Sequence, residues 1–317
     1  MMVFCSKCGK QSNPNNIFCD YCGNVIMDEK YFNLNKLENF REIVNKYNLK
    51  ILEENPLSEI EYAIILKNIE EIANDYLVDL EYEFKNRSTL GKIKLLTLSY
   101  VDVSYKSKGA ELGSYSFNHI EVDDRLNDSD AIATLIHELS HHLFNEILEQ
   151  MLMYIWEVEK SDALEAYVSF TIGTNVLFVL ANEYCAHTVE GRFIPHGYQN
   201  YGSFNKVLIE NFNLKRDSDA ISFALILGNS IADDIIQILE KFITNSVRNE
   251  IKEVFKKDYM QPPSYDEILL EKKETFSINE KLDCLHNILR SGFSLSDNDK
   301  MEDIFNVFED GYISNNN

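Results

Sequence analysis

The sequence predicts an α+β protein: a small cysteine-bearing module, then a small antiparallel-edged sheet, then helices to the C-terminus. Three observations carry this. Four of the six cysteines fall in the first 22 residues. Runs of alternating β-branched and aromatic residues are confined to positions 76–122. From Asp128 onward the apolar residues recur almost entirely at helical spacing. At 317 residues, 45% apolar and 12% aromatic, the chain can bury a sizeable core. Its net charge of −22 repels phosphate backbones and argues against nucleic acid as a partner. The expected division is a module over 1–26 and a main domain over 27–317, helical from about 205.

In the first module, Cys5-x-x-Cys8 and Cys19-x-x-Cys22 are each followed by a glycine, Gly9 or Gly23, which permits a tight metal turn. Four thiolates close one tetrahedral zinc site, and so short a segment has too little core to fold otherwise. The stretch resembles the short zinc ribbons that begin many bacterial proteins. Lys7, Lys10 and Asp20 form no phosphate-binding patch, so a structural or protein-docking role is expected. Cys185 and Cys284 stand alone. Metal thiolates without a disulfide framework point to a reducing compartment, the cytoplasm. The first ten residues lack the apolar core and cleavage site of an export signal. Phe170–Ala181 is too short and polar for a membrane span and reads as a buried helix.

Helical spacing predicts helices over Leu34–Tyr47 and Leu57–Asn74. Strand-like runs follow at Tyr76–Phe84, Lys92–Tyr105 and Leu112–Val122. The next helix carries Leu135–Glu146, "LIHELSHHLFNE". Asp128 or Ser129 can cap it, and Ile132, Leu135, Ile136, Leu139, Leu143, Ile147 and Leu148 form its apolar face. His137 and His141, four apart, present their rings on one side of the helix, where one zinc ion can take both. Glu138 is placed to contact a metal-bound water instead of the metal. His142 reads as a solvated surface residue.

A catalytic zinc needs a third protein ligand and an open fourth position. The downstream candidates are Asp162, Glu165, Glu183, His187, Glu190 and His196. Ser161 and Asp162 look like the cap of a second helix that ends at Glu190–Gly191. If the two helices form an antiparallel hairpin turning near residue 161, the level of Leu139 faces Glu183. Glu165 then lies near the turn, roughly 27 Å away at ~1.5 Å per residue; if the first helix ends early, Glu165 competes with Glu183 as the third ligand.

Asn182-Glu183-Tyr184-Cys185-Ala186-His187 resembles the Asn-Glu-x-x-Ser/Ala-Asp signature of gluzincins, the thermolysin-like class of zinc metallopeptidases. Pro195 sits where some of those families break the helix. The resemblance implies a zincin-like metallopeptidase domain acting as a zinc-dependent endopeptidase on a protein or peptide substrate. It implies zinc ligands His137, His141 and Glu183, with Glu138 as general base. With the ribbon, that makes two zinc ions per chain, one catalytic and one structural. The departure is His187 where Asp is usual. That Asp holds the first zinc histidine in its tautomer, which a His does only as a neutral acceptor, and His187 could instead bind metal itself.

On the loop after Arg192, His196 and Tyr198 are favoured over Tyr201 as donors to an oxyanion. Ser116–Asp124 reads as the edge strand that receives an extended substrate, with His119 a strand residue. From Asn205 onward the helices wall the cleft, with an apolar pair interrupted at Gly228–Asn229 and a loop at Pro262–Pro263. Two alternatives stand beside the enzyme. A non-catalytic zincin-like scaffold, its ribbon mediating binding, has no need of Glu138. A nucleic-acid regulator conflicts with the charge.

Overall fold

The computed structural model describes residues 3–4, 11–12, 57–107, 109, 111–116, 118–156, 168, 173, 175–259 and 276–295. Two short strands, β1 (Val3–Phe4) and β2 (Gln11–Ser12), pair antiparallel. Cys5, Cys8, Cys19 and Cys22, the helix expected over Leu34–Tyr47 and the loop at Pro262–Pro263 lie outside the described residues.

Helix α1 (Glu59–Val78) opens with a capping box: Ser58 Oγ accepts from the Glu61 N–H, and the Glu61 carboxylate accepts from the Ser58 N–H. Tyr62, Ile65, Ile69, Ala73 and Leu77 form its buried face. Tyr76–Phe84 is not a strand, contrary to its residue pattern. Its first residues finish α1, and Glu81–Asn86 forms the short helix α2. Ion pairs Lys85–Glu81 and Arg87–Glu83 at helical spacing support that turn. Tyr82 is exposed, so no sheet neighbour rewards its β propensity.

The second run splits. Ser88 caps helix α3 (Thr89–Leu98) by accepting from the Gly91 N–H, and only Asp102–Lys106 forms strand β3. The third run is two strands, β4 (Gly113–Ser116) and β5 (His119–Asp123), paired antiparallel with Ser116 opposite His119. Between them Asn118 stands at φ 54°, a left-handed conformation that Asn tolerates. The sheet order is β3-β5-β4, with β3 parallel to β5. His119 therefore lies on the central strand, not the edge, and its Nε2 is 2.8 Å from Ser104 Oγ. Ile120 and Val122 of β5 are fully buried, which suits a strand paired on both sides. The edge strands on either side of it are β3 and β4.

Helix α4 (Asp128–Trp156) buries the whole apolar face read from the sequence, Ile132 through Leu148. Its cap is Asn127, whose Oδ1 accepts from the Asp130 N–H and the Ser129 hydroxyl, displacing Asp128 and Ser129 from that role. Helix α5 (Val176–Phe193) begins after Asn175, whose Oδ1 accepts from the Leu177 N–H. That cap puts its start later than the expected Asp162; Ser161, Asp162 and Glu165 lie outside the described residues. At its other end α5 passes Gly191 and stops before Pro195. A Cβ on Gly191 would stand 2.6 Å from Gln199 Nε2, the far end of a flexible side chain that donates to the Gly191 carbonyl, so Gln199 would have to shift.

A 3-10 turn (His196–Tyr198) leads to helix α6 (Gly202–Asn211), followed by α7 (Ser218–Leu239), α8 (Asn245–Asp258) and α9 (Ile278–Leu295). Helix α7 runs unbroken through Gly228–Asn229, where the sequence suggested an interruption. Gly228 serves packing instead: a Cβ there would lie 2.5 Å from the Ala181 carbonyl oxygen on α5. Among the described residues α7 is also the one helix long and apolar enough to cross a membrane, with 61% of that window buried. Within the core, Asp234 of α7 pairs with Lys281 of α9 and accepts from Tyr62 OH of α1 at 2.6 Å.

The Gly228 contact makes a stability prediction. Gly228→Ala gains about 1 kcal/mol of helix propensity but overpacks a backbone contact, at a cost of about 1–3 kcal/mol. A net loss of stability is expected in urea denaturation, opposite in sign to the usual effect of this exchange in a helix.

Candidate metal centre

Helices α4 and α5 run antiparallel through the middle of the body. His141 Nδ1 lies 3.0 Å from Asn182 Oδ1; one turn earlier on α4, His137 Nδ1 lies 3.0 Å from Glu190 Oε2, two turns later on α5. Glu183 stands beside both histidines, although α5 starts only at Val176 and the turn expected near residue 161 lies outside the described residues. Its Oε2 is 3.9 Å from His137 Nε2, and its Oε1 is 3.9 Å from His141 Nε2.

The hydrogen bonds assign the ring protons. Asn182 Oδ1 only accepts, so His141 carries its proton on Nδ1. Glu190 accepts in the same way from His137 Nδ1. In the neutral rings both Nε2 atoms are then bare lone pairs, and they face each other at 3.1 Å. Two lone pairs so close repel unless a cation lies between them. Ligand atoms around a tetrahedral zinc stand about 3.3 Å apart, given bonds of ~2.0–2.1 Å. His137, His141 and Glu183 approach that spacing, so these residues can hold a metal ion.

The electrostatics agree. Burial opposes charge on His137, but the hydrogen bond to Glu190 and the charges of Glu138, Glu190 and Glu183 outweigh it and raise its pKa above the ordinary value. Burial would raise Glu183; the charges of His141 and His137, the Ser203 hydroxyl and His187 bring it below the usual carboxylate range. Glu190 is likewise lowered against burial by hydrogen bonds from His137 and His187. The pocket is built to hold positive charge.

Glu138, on the same helix, is 7% exposed and lies under the edge strand β4. A Cβ on Gly113 would stand 3.0 Å from Glu138 Oε1 and 2.4 Å from Thr134 Cγ2, so only glycine lets the strand come so close. His142 is buried and meets Tyr115 edge-on, with ring centroids 5.8 Å apart, so it is not the solvated residue expected.

His187 has its Nε2 2.7 Å from Ser203 Oγ, while the Ser203 hydroxyl donates to Glu183 Oε2. A second group near enough to hold an ion comprises His137, His187 and Glu190. The carboxylate that holds the His137 tautomer is Glu190, seven residues after Glu183, and not the residue four after it, His187. Of the loop aromatics, Tyr201 brings its ring 5.1 Å from that of His187. Tyr198 packs against Phe255 and Tyr259, and His196 is exposed on its turn.

Asn182 and Ser203 were not read from the sequence as site residues, and Glu190 was weighed only as a ligand. Asn182 opens the same hexapeptide as Glu183, and Glu190 shares its helical face, so both carried a signal. Ser203 carried none, because it arrives on a different helix. Cys185, on the far side of α5, is fully buried, and burial with the nearby Asp234 and Asp233 charges pushes its thiol well up, as suits an inert core residue.

No protein-family model matches the chain, nor does any curated protein or any solved structure.

Proposed function

We propose that the chain is a cytoplasmic zinc-dependent endopeptidase of gluzincin type, with a zincin-like domain over 27–317 and a zinc ribbon over 1–26 as docking module. The observation that supports this most is the pair of bare Nε2 atoms closed by Glu183, with Glu138 buried beside them. Zinc held by His137, His141 and Glu183 would supply a Lewis acid and an acidified water at its open fourth position.

The remaining steps belong to the chain. Glu138 takes the proton of the attacking water and returns it to the leaving amine, a role worth ~10²–10⁴ in rate. Asn182 and Glu190 keep the two imidazoles in the tautomer that presents Nε2. Ser203 holds Glu183 in place. Strand β4, an edge strand lying over Glu138, is where an extended peptide substrate adds to the sheet. The rival reading, a non-catalytic scaffold working through its ribbon, has no need of a general base at Glu138.

The test is hydrolysis of a mixed protein library and of generic peptides by the purified chain. Cleavage is expected, lost on chelation and restored by zinc. Cleavage that persists after elemental analysis shows complete removal of zinc would exclude this function.

A further inference from the structure

We propose that His137 Nδ1, His187 Nδ1 and Glu190 Oε2 form a second site for a divalent transition metal, sharing the His137 ring with the first. The proposal rests on reading His137, His141 and Glu183 as the donors of the first site.

The spacing carries it. Glu190 Oε2 lies 3.0 Å from His137 Nδ1 and 3.4 Å from His187 Nδ1. Ligand atoms around a tetrahedral zinc are about 3.3 Å apart, so Glu190 already stands at ligand spacing from both rings. The three donors lie within 4.8 Å of one another. In the first group two of the three separations are longer, at 3.9 Å. The donor set also fits: two imidazoles and one carboxylate suit zinc, copper or nickel, whereas calcium and magnesium seek oxygen.

Each donor is aimed by the structure around it. His187 and Glu190 are buried and one turn apart on α5. The His187 ring is held through Nε2, 2.7 Å from Ser203 Oγ, which turns Nδ1 toward Glu190. His137 presents Nε2 to the first group and Nδ1 to the second.

The entering ion replaces the proton between His137 and Glu190. The Nδ1–H bond breaks, Nδ1 gives its electron pair to the metal, and the proton leaves to solvent. Any proton on His187 Nδ1 leaves in the same way, so the site does not depend on the resting charge of that ring. With the first ion on Nε2, His137 then bridges two metals. Two cations on one ring repel, partly offset by the charges of Glu138, Glu190 and Glu183, all of which act on His137. The second position therefore fills after the first, at higher metal concentration.

The test is zinc bound per full chain in equilibrium dialysis against rising free zinc. The baseline is the zinc retained by His137→Ala, which lacks both positions. The wild type should bind two ions above that baseline, in two steps. His187→Gln, which fills the space and keeps a donor for Ser203, should bind one, at the first step. His141→Ala should also bind one, because His137, His187 and Glu190 remain. Circular dichroism checks that each variant is folded. Cobalt(II) loaded into the wild type needs no variant: two ions coupled through the shared ring should appear in electron paramagnetic resonance. One ion above baseline in the wild type, two in His187→Gln, none in His141→Ala, or two uncoupled cobalt ions would overturn the second site. A wild type holding no zinc above the baseline would instead overturn the ligand assignment beneath it.

Discussion

Glu138→Gln is expected to lower peptide hydrolysis by ~10²–10⁴-fold, the range for loss of a general acid–base group, with zinc content unchanged. The substitution is nearly isosteric, which matters under β4, where Gly113 leaves no spare room. An amide there cannot take a proton from water. The hydrogen bonds that fix the ring protons of His137 and His141 run to Glu190 and Asn182 and stay in place. The measurement is kcat/KM on a fixed peptide beside elemental zinc. Turnover within tenfold of the wild type would remove Glu138 from the mechanism, and lost zinc would mean that it binds the ion.

The second large effect is on metal stoichiometry. The wild type is expected to carry two zinc ions, one in the four-thiolate ribbon and one in the helix-borne centre. His141→Ala and Glu183→Ala should each leave one ion and no hydrolysis. Cys19→Ser should leave the other ion, with cleavage of a small generic peptide intact. Glu165→Ala should change neither count. A single zinc that survives both His137→Ala and His141→Ala would leave a ribbon protein with a helical body and no peptidase. A requirement for Glu165 would keep the enzyme and reassign the third ligand.

The parts of this site legible in the sequence were those set by spacing along one helix. His137 and His141 four apart, Glu138 between them and the apolar face from Ile132 to Leu148 all follow from the helical repeat. Glu183 was reachable one step further, because antiparallel helices of equal rise place residues at computable levels. Which atoms touch across that interface depends on the rotation of each helix about its axis. That is why Glu190, and not His187, holds His137, and why Ser203 went unseen. The strand readings failed where local chemistry outweighed β propensity: at Glu81–Lys85 and Glu83–Arg87, at the Ser88 cap, and at Asn118, whose left-handed turn splits one run into two strands. Gly228 was read as a breaker because the sequence does not say which backbone lies against it.

The close crossing at Gly228 bears on which ions the centre can admit. It presses the carbonyl of Ala181 against α7, one residue before Asn182 and two before Glu183. The face of α4 behind the histidines is held by Leu139, Leu143 and Ile136, all buried. The distance between the two donor-bearing helices is therefore set by hydrocarbon packing. A calcium ion seeks six to eight oxygens at ~2.3–2.6 Å. To gather them here it would have to part α4 from α5 and α5 from α7 together. A chain with 52 acidic side chains attracts divalent ions over its whole surface. With His137, His141 and Glu183 as the proposed ligands, this packing is expected to favour an ion that accepts two imidazoles, one carboxylate and a small coordination sphere.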